Sequence, residues 1–128
     1  VVADQMAAFY AATERMGVQD SVVTFTASDF GRTLKSNGSG SDHGWGSHHI
    51  VMGGSVLGGD LYGNFPSLDI NGANSVEEQG QLLPSTSVDE YAATLAKWYG
   101  VSGSDIPLVI PNIGRFARPD LGFMRAGS

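Results

Sequence analysis

The chain has 128 residues, with 7 Lys plus Arg against 13 Asp plus Glu, a formal net charge of −6 and no cysteine. Without clustered cations it is a poor candidate for binding nucleic acid or an anionic membrane surface, and without cysteine it has no disulfides, thiolate nucleophiles or Cys-type zinc sites. A hydrophobic content of 41% is typical of a globular domain, and no apolar run is long enough to cross a membrane.

The first predicted element is an amphipathic helix. Apolar or small residues recur at steps of three and four from Val2 to Met16, and Gly17 indicates the helix end. Because the chain opens at Val1 in what already reads as mid-helix, we expect a processed protein or an internal fragment. Residues 21–27 are mostly apolar and β-branched, which is typical of a strand buried on both faces. A helix followed by such a strand favours an α/β fold with a mainly parallel sheet.

Residues 28–49 differ in character from the segments on either side. They are rich in Ser, Gly, Asn and Asp, and they include all three histidines. In a parallel α/β sheet, the loops that leave the carboxyl ends of strands bind ligands, so this segment is predicted to be a functional loop. Within it, residues 37–41 have the composition of a flexible linker. A second short buried strand is predicted over residues 49–54.

The second half of the chain contains one clearly marked helix. A turn with a short edge strand is predicted over residues 58–63, and a surface excursion over residues 64–86. Ser87 and Glu90 form a capping box that begins the helix, and Gly100 ends it. The tail, rich in Pro and Gly, is predicted to be coil with a short helical turn. Two helices and two or three strands make a thin sheet, so we expect a missing N-terminal portion or another chain to complete it.

Four residues of the polar loop are candidate metal ligands. Asp29 follows the first strand, Asp42 and His43 form an adjacent pair flanked by glycine, and His48 comes before the second strand. Divalent metals such as zinc, calcium or magnesium bind carboxylate oxygen and imidazole nitrogen. Neighbouring side chains on a strand point to opposite faces, so His49 is expected to be structural.

Arg32 is the candidate catalytic residue, because a guanidinium can hold an anionic substrate oxygen through a bidentate fork. Each candidate also has a simpler interpretation. Asp29 could be a helix N-cap or a turn former, and an Asp-His pair in a Gly/Ser loop is a weak signal by itself.

Several motifs in consistent order strongly resemble the bacterial DUF1501 family. The resemblance covers nearly the whole chain and corresponds to the C-terminal part of longer family members. The motifs are FTASDFGRT at 25–33, DHGWG at 42–46, GG at 53–54, GGDLYG at 58–63, PSTSVDEYAATL at 84–95, WYG at 98–100 and PNIGRF at 111–116.

The resemblance implies an alkaline-phosphatase-like fold, related to sulfatases and phosphomutases. Residues 1–128 would then be the C-terminal part of a single domain of this kind, an α/β structure with a mainly parallel sheet and flanking helices. Members of the family are usually exported by the twin-arginine route, which implies a periplasmic or secreted protein.

The same resemblance assigns roles to individual residues. In that superfamily a strand ends in Ser-Asp-His-Gly, whose Asp and His bind one metal, and a later His binds the other. Asp29 matches the ligand Asp, while Phe30 stands where the His would be and cannot bind a metal. His43 is the counterpart of the later His, with Asp42 beside it. A single-metal site, altered chemistry and lost activity are the alternatives that follow.

The leading hypothesis is that the chain is the C-terminal portion of an exported metal-dependent hydrolase of phosphate or sulfate esters. Its partner would be an anionic small-molecule or polymer ester. The nucleophile of such an enzyme is expected outside this chain, which alone should be inactive. The rival hypothesis is a non-catalytic exported binding or assembly protein that retains the fold, and Phe30 in a ligand position favours it.

Overall fold

The computed structural model describes residues 1–125, which form helices and short antiparallel strands. In these residues the strands pair as β1 with β4, β2 with β3 and β5 with β6, each pair antiparallel. The elements in chain order are α1 (Val2–Arg15), β1 (Thr24–Phe25), β2 (Gly31–Ser36), β3 (Ser41–Gly44), β4 (Val51–Met52), β5 (Ser75–Val76), β6 (Gln81–Leu82), α2 (Val88–Tyr99) and α3 (Ile106–Val109).

The predicted α/β fold with a mainly parallel sheet, including its alkaline-phosphatase-like form, is wrong for these residues. The strand expected over residues 21–27 is reduced to Thr24–Phe25, and it pairs antiparallel with β4. Phe25 is 50% exposed, so this strand is not buried on both faces. A β-branched, apolar segment favours an extended backbone but specifies neither the partner nor its direction. The described chain therefore contains three small antiparallel ladders and no parallel sheet.

The segment 28–49 was predicted to be a loop, and this is also wrong, because it contains the hairpin of β2 and β3. The Gly/Ser stretch taken for a flexible linker is the hairpin turn. Asn37 N–H donates to the carbonyl of Gly40 (3.1 Å), and the Ser36 hydroxyl accepts from Gly38 N–H (3.1 Å). Asn and Gly are the residues that tight hairpin turns favour, so the same composition serves a defined turn.

The surface excursion predicted over residues 64–86 contains a second hairpin, β5 and β6, which lies beside β2. Leu34 N–H donates to the carbonyl of Gly80, and Lys35 N–H donates to that of Gln79, both at 3.1 Å. The edge strand predicted over residues 58–63 is absent, since these residues form bends and coil.

Helix α2 confirms the sequence prediction at both ends. The Ser87 hydroxyl accepts from Glu90 N–H, and the Glu90 carboxylate accepts from Ser87 N–H, both at 3.0 Å, which completes the capping box. Gly100 ends the helix in the left-handed conformation, with φ of 108°. The first helix is also confirmed, ending at Arg15 instead of Gly17. None of the helices in residues 1–125 is long and apolar enough to cross a membrane.

The small hydrophobic core packs around α2 and the tail. As predicted, the tail is coil with short helical turns, α3 and a 3-10 turn at Ile113–Arg115. The core consists of buried Ala93, Ile106 and Ile113, with Ala96, Val101 and Ile110 packed against them.

Much apolar surface lies outside this core. The chain exposes 8575 Å², whereas a monomer of 13.4 kDa is expected to expose about 6,500 Å². On α1, Val2 is 68% exposed, Phe9 50% and Met16 73%. The described residues therefore bury less surface than an independent globule of this size.

Substitution of Gly31 tests the close backbone contact between the start of β2 and Gly46. A Cβ atom at this position would overlap the carbonyl oxygen of Gly46, whereas a Cβ at Gly114 meets no atom within 4 Å. Because the backbone at Gly46 would have to move, we expect Gly31→Ala to lower the free energy of unfolding by about 1–3 kcal/mol. Gly114→Ala is the matched control and should be close to neutral. Urea unfolding followed by circular dichroism measures both, and equal stability of the two variants would contradict the close contact.

Candidate functional site

An open cleft of about 340 Å³ lies where β1 ends, β2 begins and β4 is about to begin. No carboxylate group lines it among the described residues, so its only formal charge is that of a guanidinium. Such a lining suits an anion better than a cation. The polar side chains of the lining belong to Thr26, Ser28, Arg32, Ser47, His48 and His49.

Arg32 is held at this cleft by the hairpin. It is the register partner of His43 across β2 and β3, and its Nη1 donates to the carbonyl of Ser41 (2.7 Å). The side chain is exposed, and within residues 1–125 it forms no ion pair with a carboxylate. The guanidinium is therefore oriented by the protein while its charge is not neutralised.

A ring stack joins Arg32 to His43. The rings of Phe30 and His43 have centroids 3.8 Å apart and are inclined by 16°. The Arg32 guanidinium carbon lies 5.2 Å from the centroid of the same Phe30 ring, within the range of a cation–π contact. The hairpin thus brings together the predicted anion-binding residue and one predicted metal ligand, with Phe30 in contact with both.

The two predicted carboxylate ligands do not join this stack. The carboxylate of Asp42 accepts from the Asn37 amide (2.7 Å), so its hydrogen-bond partner lies in the hairpin turn. Asp29 is exposed and does not line the cleft. The Ser28 hydroxyl donates to the Phe30 carbonyl (2.9 Å) and so closes the turn around Asp29.

The two neighbouring histidines at the cleft contact different aromatic residues. The His48 ring stacks on Phe65 with centroids 5.0 Å apart, and the His49 ring stacks on Tyr91 at 5.5 Å. His49 Nδ1 also lies 3.2 Å from the Thr26 hydroxyl. His49 therefore makes packing and hydrogen-bonding contacts of a structural kind while still lining the cleft.

Within residues 1–125, no three His, Asp or Glu side chains lie close enough together to hold a metal ion. The described residues alone therefore do not fit a closed metal centre. The prediction that Asp29, Asp42, His43 and His48 bind a divalent metal stays a prediction, and it requires a rearrangement or additional ligands from outside these residues.

The model of the protein family described as "Protein of unknown function (DUF1501)" matches residues 1–102. The chain belongs to the DUF1501 family. No curated protein and no solved structure matches it. All five residues predicted for the site lie within the matched range, so they belong to the part of the chain that the family defines.

Sequence reasoning missed two residues that shape the cleft of this DUF1501 chain. The Thr26 hydroxyl accepts from Ile50 N–H (2.9 Å) and so joins the ends of β1 and β4. The Tyr91 hydroxyl donates to the Thr26 carbonyl (3.2 Å), which attaches α2 to the back of the cleft. Only the tertiary fold identifies the partner of Tyr91, because 65 residues separate it from Thr26.

The Tyr91 phenol gives a pH test of this attachment. Burial raises the pKa of Tyr91 above its ordinary value of about 10, since the phenolate is the less favoured form in the folded chain. The unfolded state therefore loses this proton at lower pH than the folded state, and the free energy of unfolding should fall as pH rises above about 10.

Tyr91→Phe should be less stable than the unsubstituted chain at pH 7, because it lacks the bond to Thr26, and its stability should fall less steeply above pH 10. Urea titrations between pH 7 and 11 measure both slopes. Tyr99→Phe, at an 84% exposed position, is the control. Equal slopes for Tyr91→Phe and the unsubstituted chain would contradict the role of burial.

Proposed function

We propose that this DUF1501 chain is the C-terminal portion of an exported, metal-dependent hydrolase of phosphate or sulfate esters, in which Arg32 binds the anionic group. The observation that carries the proposal is the cleft in which, among residues 1–125, the exposed Arg32 is the only lining residue with a formal charge. Phosphate and sulfate are tetrahedral anions, and a guanidinium offers them planar pairs of N–H donors.

The remaining lining supports the same ligand class. A guanidinium has five N–H donors, and one hydrogen bond of Arg32 goes to the Ser41 carbonyl. The other donors have no carboxylate partner within residues 1–125. Ser28, Ser47 and His48 add polar side chains to the lining of the same space. A cleft of this kind can orient an anionic oxygen without first displacing a carboxylate.

The divalent metal, zinc, calcium or magnesium, belongs to the proposal on the chemistry of the donors. Asp29, Asp42, His43 and His48 offer carboxylate oxygen and imidazole nitrogen, although they do not converge within the described residues. A bound metal would polarise the ester oxygen. Its ligand set would be completed by residues beyond 1–125 or by a rearranged hairpin.

We further propose that another part of a longer polypeptide, or another chain, packs against the described residues. The excess of exposed surface over that of a monomer of this mass, about 2,000 Å², is of the size that a permanent interface buries. Location in the periplasm or outside the cell belongs to the same proposal and rests on the family resemblance alone.

A second candidate is a non-catalytic exported binding or assembly protein. Two features favour it. The resemblance places Phe30 where a metal-binding histidine would be, and the Asp42 carboxylate accepts a hydrogen bond from the amide of Asn37. In this case the Arg32 cleft would bind an anionic group without transforming it.

Removing the guanidinium tests the leading proposal. In the complete protein, with p-nitrophenyl phosphate and p-nitrophenyl sulfate as substrates, we expect Arg32→Ala to lower kcat/KM about 100-fold or more. Arg32→Lys should recover part of this loss, because an ammonium keeps the charge and loses the fork. Arg115→Ala, at an exposed position outside the cleft, is the matched control. Turnover by Arg32→Ala equal to that of the control would show that Arg32 does not bind the substrate.

Metal content separates the two candidates. In the complete protein, Asp29→Ala and His43→Ala should each lower the bound zinc, calcium or magnesium measured by mass spectrometry, and turnover should fall with it. Asp4→Ala, on exposed α1, is the control carboxylate. Unchanged metal content and unchanged turnover in both variants would show that Asp29 and His43 do not bind the metal. A complete protein with neither bound metal nor turnover would contradict the metal-dependent hydrolase and favour the non-catalytic binding protein.

A further inference from the structure

The Phe30 ring cannot bind a metal, but it contacts both Arg32 and His43. Its centroid lies 3.8 Å from that of His43, nearly parallel, and 5.2 Å from the Arg32 guanidinium carbon. Phe30 is half-buried, whereas both of its partners are exposed. The ring is thus the most buried of the three groups and offers a packing surface to the other two.

Strand geometry explains why the three side chains meet. Phe30 precedes β2 by one residue and Arg32 is two positions further on, so the two share a face of the strand. His43 is the register partner of Arg32 on β3, which places its side chain on the same face. The carboxylate of Asp42 accepts from the Asn37 amide and, within residues 1–125, forms no ion pair with Arg32. The Phe30 ring thus contacts one cation and one imidazole.

We propose that Phe30 is a positioning residue that holds Arg32 and His43 as a pre-oriented pair for an anionic oxygen. The inference rests on the proposed function, because the anion is the phosphate or sulfate group assigned to the cleft. Two contacts restrain the guanidinium: one with the Phe30 ring and one with the Ser41 carbonyl. An arginine held in this way loses less side-chain freedom when it binds.

Three measurements on the complete protein test the positioning role. The first is the upfield displacement of the His43 ring protons that a stacked aromatic ring produces. The second is the order of the Arg32 side chain, read from the heteronuclear NOE of its Nε–H. The third is the affinity for inorganic phosphate by titration. Only the third requires that the cleft bind an anion.

Phe30→Leu should remove the upfield displacement of His43, increase the mobility of Arg32 and weaken phosphate binding roughly two- to fivefold. Phe30→Tyr keeps the ring and should retain all three properties. Should Phe30→Leu fail to fold, Phe30→Met carries the same expectations. Phe65→Leu is the matched control, because Phe65 stacks on His48 and should alter only that histidine.

Unchanged His43 resonances and Arg32 order in Phe30→Leu would overturn the inference, whatever the phosphate titration gives. Changes in both with an unchanged phosphate affinity would also overturn it, since the stack would then be structural only. If the unsubstituted chain and Arg32→Ala respond equally to phosphate, the proposed anion site is wrong, while the first two measurements still decide whether Phe30 orients the pair.

Discussion

The buried carboxylate of Glu90 is the interaction on which the rest of the structure depends. Glu90 is 5% exposed, and burying a carboxylate is costly unless hydrogen bonds compensate. It accepts from the backbone N–H of Ser87, which starts α2, and from that of Arg118, which lies in the tail. One side chain thus begins the helix and attaches the tail to it. The attached tail then carries Phe123 against Tyr91, with ring centroids 5.8 Å apart.

Helix α2 contacts the cleft through Tyr91, and the hairpin of β2 and β3 contributes Arg32 to its lining. Tyr91 reaches from the helix to the Thr26 carbonyl and stacks on His49, so the back of the cleft is fixed by the part of the chain that has a packed core. The front is formed by Phe30 and Arg32, which belong to a hairpin with few buried apolar side chains. A rigid back and a more exposed front are consistent with a surface that orders fully when a ligand or another polypeptide packs against it.

Local signals in the sequence predicted the helices correctly and could not predict the sheet. The capping box of Ser87 and Glu90 is complete within four residues, so the local sequence is enough to predict where α2 begins. The pairing of Thr24 with Met52 joins residues 28 positions apart, and nothing in either segment specifies the direction. The Asn37 turn was misread because Gly and Ser are common to linkers and to hairpin turns. Had the hairpin been recognised, alternation would have placed Asp42 and His43 on opposite faces.

In the proposed function, Phe30 changes which ligand the site favours, because the resemblance would place a metal-binding histidine at this position. A carboxylate and imidazole set would select a metal cation, whereas the Phe30 ring contacts a guanidinium and an imidazole. Guanidinium and ring are both unsuited to metal coordination, and a guanidinium repels a nearby cation. A metal would therefore need ligands other than these, since no three His, Asp or Glu side chains in residues 1–125 lie close together. In the proposed function, the Arg32 guanidinium makes anion binding the part of the chemistry assigned to the described residues, and metal binding would depend on ligands from outside them.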